Sequence, residues 1–206
     1  MRNAFEMITS APIDIIYQCD KINNRYFTID TADMVTIHQW INFNPKINTY
    51  ALFQGKVIGF FNIIPITTEC AELFDQQAIK EEDLAIEHIL APDVMIHAQY
   101  AYLAAIAIND THDFLSRQCA AALITTIANH FLHAYDMGTL KRIYANPTTF
   151  DGNHMVRKLG LKPVVALKKP LTGNDIYALD VTDETLAGFN YYSTRYNQFI
   201  ASTPWK

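Results

Sequence analysis

Cysteine is scarce in this 206-residue chain: Cys19, Cys70 and Cys119 stand far apart, with no Cys-x-x-Cys pair. Such spacing suggests neither a disulfide framework nor a zinc site, so buried or free thiols are expected. Blocks of Lys or Arg are missing as well. Sixteen cations against 21 acidic residues leave a formal charge of −5, and Lys168 and Lys169 alone make no basic patch. Neutralising a phosphate backbone needs clustered cations, so no nucleic-acid partner is expected. Long apolar runs are also absent. Residues 57–66 are interrupted by Gly59, Asn62 and Pro65, well short of the ~20 apolar residues that span a bilayer. The first ten residues carry Arg2 and Glu6 without an extended apolar stretch, unlike a secretory signal, and the expected location is the cytoplasm. Without repeats, low-complexity tracts or a Pro/Gly/Ser linker, residues 1–206 are expected to form one domain.

What is present suffices for a core: half the residues are apolar and 18% are charged, the balance of a globular chain. Residues 5–9 suggest a short first strand. Pro12 opens a helix carrying Ile13, Ile16, Tyr17 and Ile22, and a second helix follows from Thr31 with Met34, Val35, Ile37, His38 and Ile41 facing inward. Residues 49–54 and 57–64 form a hairpin about a two-residue Gly55-Lys56 turn. Residues 67–98 are acidic, with eight carboxylates against Lys80 alone, and are expected to form a mostly helical insert between the third and fourth strands. The run YAYLAAIAI (100–108) has the length and apolarity of a central strand covered on both faces. The best helix follows, from Cys119 to Tyr135 at steps of three and four, stopped by Gly138. A strand at 141–146, a helix at 150–159, strands at 164–167 and 176–181 and a last helix at 183–200 complete an α/β (α+β) chain, a mixed central sheet flanked by helices.

The strand, loop and helix start between Tyr102 and Leu123 form an arrangement that offers free backbone N–H groups and a helix dipole to an anion. Ser116, Arg117 and Gln118 would add a hydroxyl, a cation and an amide to a diphosphate cradle. The segment YLAAIAINDTHDFLSRQCAAALI resembles the acyl-CoA signature of the GNAT superfamily of N-acetyltransferases. Phe114 matches the signature's aromatic, Leu115 its arginine, Gln118 and Ala120 its two glycines, and Leu123-Ile124 the apolar pair that follows. Both glycines are thus replaced, and Arg117 stands two places late. A second stretch, RIYANPTTFDGNHMVRKLGLKPV, looks like the strand-helix-turn that closes a GNAT domain, with Leu161 in place of the usual aromatic. The resemblance spans residues 5–182, and the acidic insert is similar to one seen in a subset of bacterial members.

That resemblance implies acetyl-CoA or a longer acyl-CoA as donor, no metal, and direct attack of an amine on the thioester. Cofactor contacts are implied at Ile106, Ala107 and Ile108 on the strand, at Ser116, Arg117, Gln118, Cys119, Ala120 and Ala121 on the helix start, and at Asn146 and Asn153, which could equally cap loop and helix. The tyrosine that often serves members as general acid is replaced by Val156. Tyr102 is the catalytic candidate: strict alternation places it on one strand face with Ala104, Ile106 and Ile108, although a core role is the favoured reading. Glu87, His97 and His112 could receive a proton but suit solvated faces and loops. His130 and His133 share a helix face without a third ligand. Cys119 could be a nucleophile at a helix start, but its place in the apolar series favours packing.

The acceptor is expected to be a small-molecule amine or a peptide amine, drawn by the acidic insert, although solvated helix faces explain those charges too. A long acyl donor with an amino-acid acceptor is also open. Two classes of function remain, an active N-acyltransferase and a catalytically silent acyl-CoA-binding or interaction module. An unrelated α/β protein would keep strands 100–108 and 141–146 paired throughout, whereas a GNAT sheet splays between them.

Overall fold

A computed structural model describes residues 5–26, 31–109, 114–164 and 175–202. Seven strands form one mixed sheet in the order β1-β2-β3-β4-β5-β7-β6. They are β1 (Glu6–Thr9), β2 (Asn48–Phe53), β3 (Lys56–Ile66), β4 (Tyr100–Ile108), β5 (Arg142–Ala145), β6 (Lys162–Pro163) and β7 (Tyr177–Asp180). Only β4 and β5 run parallel; every other neighbouring pair is antiparallel. The helices are α1 (Ile13–Tyr26), α2 (Met34–Phe43), α3 (Thr68–Asp75), α4 (Phe114–Asp136), α5 (Phe150–Lys158) and α6 (Asp183–Ser202).

The β2–β3 turn sits one residue earlier than its sequence suggests. Gln54 and Gly55, with φ of 52° and 75°, occupy the two central positions and Lys56 already belongs to β3. A two-residue hairpin needs positive φ at both positions, and the strand twist selects that geometry over one centred on Gly55-Lys56. His112, Lys168, Lys169 and most of the strand expected at 164–167 lie outside the described residues.

The sheet separates two cores. On one face α1, α2 and α3 cover Tyr50, Phe60, Ile64, Tyr102 and Ala107; on the other α4, α5 and α6 cover Phe61, Ile63, Leu103 and Ile143. The three cysteines are buried free thiols. Cys119 packs where α4 meets β3: a Cβ at Gly59 would lie 2.8 Å from the Ala107 carbonyl oxygen and 3.0 Å from the Cys119 Sγ. Only glycine permits that approach. Burial pushes the Cys119 thiol up to about 12, which removes it as a nucleophile at neutral pH.

The acidic insert is fastened rather than free. After α3 it continues through three single 3-10 turns, Glu81–Asp83, Ile86–His88 and Met95–His97. The Trp40 indole on α2 donates to the Leu84 carbonyl at 3.1 Å, and the Asn44 amide to that of Leu90 at 2.8 Å. On the other side Tyr144 donates to Asp75 at 3.0 Å, and Arg142 pairs with Asp75 at 3.2 Å. Glu82, Asp83, Glu87 and His97 face solvent, whereas Glu81 is buried, so the reading of the insert as wholly solvated faces fails at that position.

Candidate functional site

Two irregularities in β4 create the site. The register against β3 passes from Ile63↔Leu103 to Asn62↔Ala105, leaving Ala104 as a bulge residue with no opposite number. Against β5, pairing runs only from Tyr100↔Arg142 to Leu103↔Ala145. Beyond Leu103 the strand remains bonded to β3 but has lost its other neighbour. A strand edge of this kind presents unpaired N–H and C=O groups to any extended ligand that can pair with them.

The bulge also reverses the alternation expected of this strand, because one extra residue exchanges the faces beyond it. Tyr102 and Ala107 point to the α1/α2 core, whereas Ile106 and Ile108 point with Leu103 toward α4. Tyr102 therefore does not share a face with Ile106 and Ile108. It is fully buried, and its hydroxyl donates to Glu81 Oε2 at 2.8 Å while the Asn146 backbone N–H donates to it. Burial, followed by the Glu81 charge, raises the Tyr102 pKa well above its ordinary value, so the phenol is a fixed donor.

A cleft of about 530 Å3 opens where β4 and β5 part, within the usual range for small-molecule sites. Of the residues expected to contact the cofactor, Ile106, Ala107, Ile108, Ser116, Arg117, Ala120 and Asn146 line it. Gln118, Cys119 and Ala121 do not: all three are buried, Cys119 within the core that α4 covers. The helix begins at Phe114, so Ser116, Arg117 and Gln118 are helical rather than loop residues. Gln118 to Ala121 lie beyond the first turn, where backbone N–H groups already serve the helix. Asn153 turns to the β5–α5 loop, its amide reaching the Pro147 and Thr149 carbonyls at 3.4 and 3.3 Å. Val156 does line the cleft and places an apolar wall there.

Asn146 is 5% exposed, and neither side-chain polar atom has a partner among the described residues. A buried unpaired amide costs on the order of 1–3 kcal/mol, so this side chain is suited to a ligand that bonds it. Glu81 is the residue that sequence reasoning missed. It is 6% exposed, accepts from Tyr102 and, at 3.4 Å, from the Ala32 backbone N–H. Burial raises its pKa to about 7 against the opposing pull of these two hydrogen bonds. The signal in the sequence was indirect: a tyrosine within a central strand requires a polar partner for its hydroxyl.

A second cavity, of about 300 Å3, lies on the opposite face between α1, α2 and strands β2–β4. Glu81, Ala104, Ala105 and Thr31 line both hollows, so the two meet at the bulge. The buried carboxylate stands at their junction. Among the described residues no cluster of three metal-ligating side chains occurs, and no helix is long and apolar enough to cross a membrane.

No family model matches the sequence, and no curated protein matches it either. Solved structures do. Ard1 from Thermoplasma volcanium superposes with a TM-score of 0.56 at 12% identity, over 87% of this chain and 99% of that one. The GNAT family N-acetyltransferase YhbS from Escherichia coli, in complex with CoA, gives 0.54 at 15% identity, over 91% and 87%. The CoA-dependent acyl-homoserine lactone synthase BjaI, with SAM and isopentyl-CoA, gives 0.52 at 12% identity, over 94% and 89%. With its bulged fourth strand, parted β4–β5 pair and helices on both faces, the chain has the fold of the GNAT superfamily.

Proposed function

We propose that the protein is an acyl-CoA-dependent N-acyltransferase, transferring an acetyl or longer acyl group to an amine. The observation that carries this reading is the meeting of cleft and cavity at Glu81, Ala104 and Ala105. In this reading the pantetheine arm lies along the open edge of β4 and bonds its free backbone groups and the orphaned Asn146 amide. Arg117, exposed at the start of α4, offers a cation to the phosphates. The fit rests on an open strand edge and an unpaired amide, both of which an extended amide-bearing ligand satisfies.

The amine enters from the cavity side. Its ammonium gives a proton to Glu81, whose raised pKa matches neutral operation. The free amine then attacks the thioester carbonyl carbon, a C–N bond forms, and the C–S bond breaks with its electron pair leaving on sulfur. Val156 supplies no acid. After the C–N bond forms the nitrogen still carries one proton too many; a thiol with a pKa of about 8.5 can leave as thiolate and takes that proton by way of water, leaving amide, free CoA thiol and protonated Glu81. Holding the two reactants on either side of the bulge supplies much of the rate enhancement. Dependence on acyl-CoA would place the protein in the cytoplasm.

Val156 and Gln118, standing where catalysis and cofactor contacts would otherwise be expected, favour the second reading, a module that binds acyl-CoA without turning it over. Titration with acetyl-CoA and longer acyl-CoA, followed by assay of free CoA released on addition of an amine panel, separates the two. Binding with release supports the enzyme, binding without release the silent module, and no binding at all removes both.

A further inference from the structure

The 300 Å3 cavity has a chemical character of its own. Three carboxylates of increasing burial line it. Asp33, the N-cap of α2, is exposed; Asp20 on α1 has a side chain 19% exposed; Glu81 is buried at the inner end, where the cleft begins. Among its described lining residues there is no Lys or Arg. Between the acids the wall is apolar, with Ile37, Trp40 and Phe60. The floor is fixed by a relay in which the Asn62 amide donates to Asn48 and the Asn48 amide to the Tyr50 hydroxyl.

This composition discriminates among amines. A carboxylate or phosphate on the acceptor would meet like charge and find no cation. A volume of about 300 Å3 suits a small amine better than a peptide. Asp20 accepts from His38 Nε2 at 3.1 and 3.2 Å, but a carboxylate has about four lone-pair sites, so it retains capacity for a second donor. Asp20 lines the cavity and not the cleft, whereas Glu81 lines both. A ligand with one nitrogen at Glu81 thus has Asp20 as a second carboxylate within the same cavity and away from the cleft.

We propose that this cavity is the acceptor site and that it selects a compact diamine, with one nitrogen at Glu81 for acylation, the other at Asp20, and the hydrocarbon between them along Trp40. The proposal rests on the acyltransferase reading, and the step is the same: the C–N bond forms at the nitrogen beside Glu81, which takes the proton, and the thiolate departs with the electrons of the C–S bond. The distal ammonium takes no part in the chemistry and acts through binding.

Three probes of equal length test it by calorimetry, with and without saturating CoA: 1,5-diaminopentane, pentylamine and 5-aminopentanoate. The diamine is expected to bind about tenfold or more tightly than pentylamine, the return of one charge-assisted hydrogen bond, and the amino acid most weakly. Asp20→Asn should bring the diamine within about threefold of pentylamine, and Asp20→Glu should restore part of the gap. CoA affinity reports whether each variant is folded, since Asp20 does not line the cleft. A diamine no tighter than pentylamine, an amino acid equal to the diamine, or a preference that survives Asp20→Asn overturns the proposal. Failure of the donor reading shows separately as absent CoA binding, and the CoA-free titrations then decide the cavity's selectivity alone.

Discussion

The two halves of β4 have opposite fates. Residues 100–103 are bonded on both sides, to β3 and to β5, and hold Tyr102 and Leu103 in the two cores. Residues 104–108 keep only the β3 side and give the other to a cleft. A single inserted residue, Ala104, and the end of β5 at Ala145 separate a strand bonded on both sides from an open edge. The cleft is thus obtained by withholding a neighbour from an ordinary strand, while the other half keeps both.

The sharpest way to break the comparison is at the junction itself. Glu81→Gln should lower kcat/KM by roughly 10^2–10^4-fold and remove the rise in rate as pH climbs through about 7, where the carboxylate becomes a base. The groups facing this carboxylate are the Tyr102 hydroxyl from β4 and the Ala32 N–H from the approach to α2, with Cys70 of α3 acting on Tyr102. The sign on stability is opposite to that of an ordinary ion-paired carboxylate. Because the folded pKa is raised, its contribution is fully present below the unfolded carboxylate pKa and is lost as pH rises through about 7. Urea denaturation at pH 5 and pH 8 should show the wild type losing on the order of 3 kcal/mol relative to Glu81→Gln; parallel behaviour of the two proteins would show that Glu81 does not titrate there.

Gly59→Val attacks the sheet opposite the open half. Its side chain would meet the Ala107 carbonyl, which belongs to the backbone and cannot turn away. The expected loss is roughly 2–3 kcal/mol, or about 5–10 °C in Tm, and an unchanged melting curve would mean that β3 and β4 are not as close as described. Asn146→Leu is the mildest. Removing an amide that has no protein partner should leave stability unchanged or slightly higher while weakening acyl-CoA binding about tenfold. Unaltered acyl-CoA affinity would separate Asn146 from the donor site.

The sequence makes the paired half of this comparison easy to read and the open half hard. An uninterrupted apolar run of strand length bounded by polar residues reads as a covered strand, so 100–108 was legible to the residue. The hairpin strands, by contrast, were displaced by a residue at the turn, and the helix before Gly138 starts at Phe114 rather than Cys119. A bulge leaves no such mark. Ala104 and Ala105 are small and apolar like their neighbours, and strict alternation through them assigns Tyr102 to the wrong face. Glu81 was hidden for the converse reason: in the run Lys80-Glu81-Glu82-Asp83 it has the composition of a solvated turn, and its burial follows from contacts with α2 and β4 distant in sequence. Of the helix-start segment, Ser116, Arg117 and Ala120 line the cleft. Gln118 does not, because α4 starts a turn earlier than that alignment implies.

The way the insert is held has a consequence for how freely it can vary. Trp40 and Asn44 grip the main-chain carbonyls of Leu84 and Leu90, groups that every amino acid carries. Replacements at Glu82 and Glu87, which face solvent, would leave that grip intact, so part of this surface charge can be rewritten by mutation, whereas Asp83 accepts from the Lys80 backbone N–H at 2.9 Å and helps hold the turn that carries Glu81. The position of the buried carboxylate and the charge of the insert's outer surface are in this way separable traits, the first held by main-chain contacts and the second open to drift or to engineering.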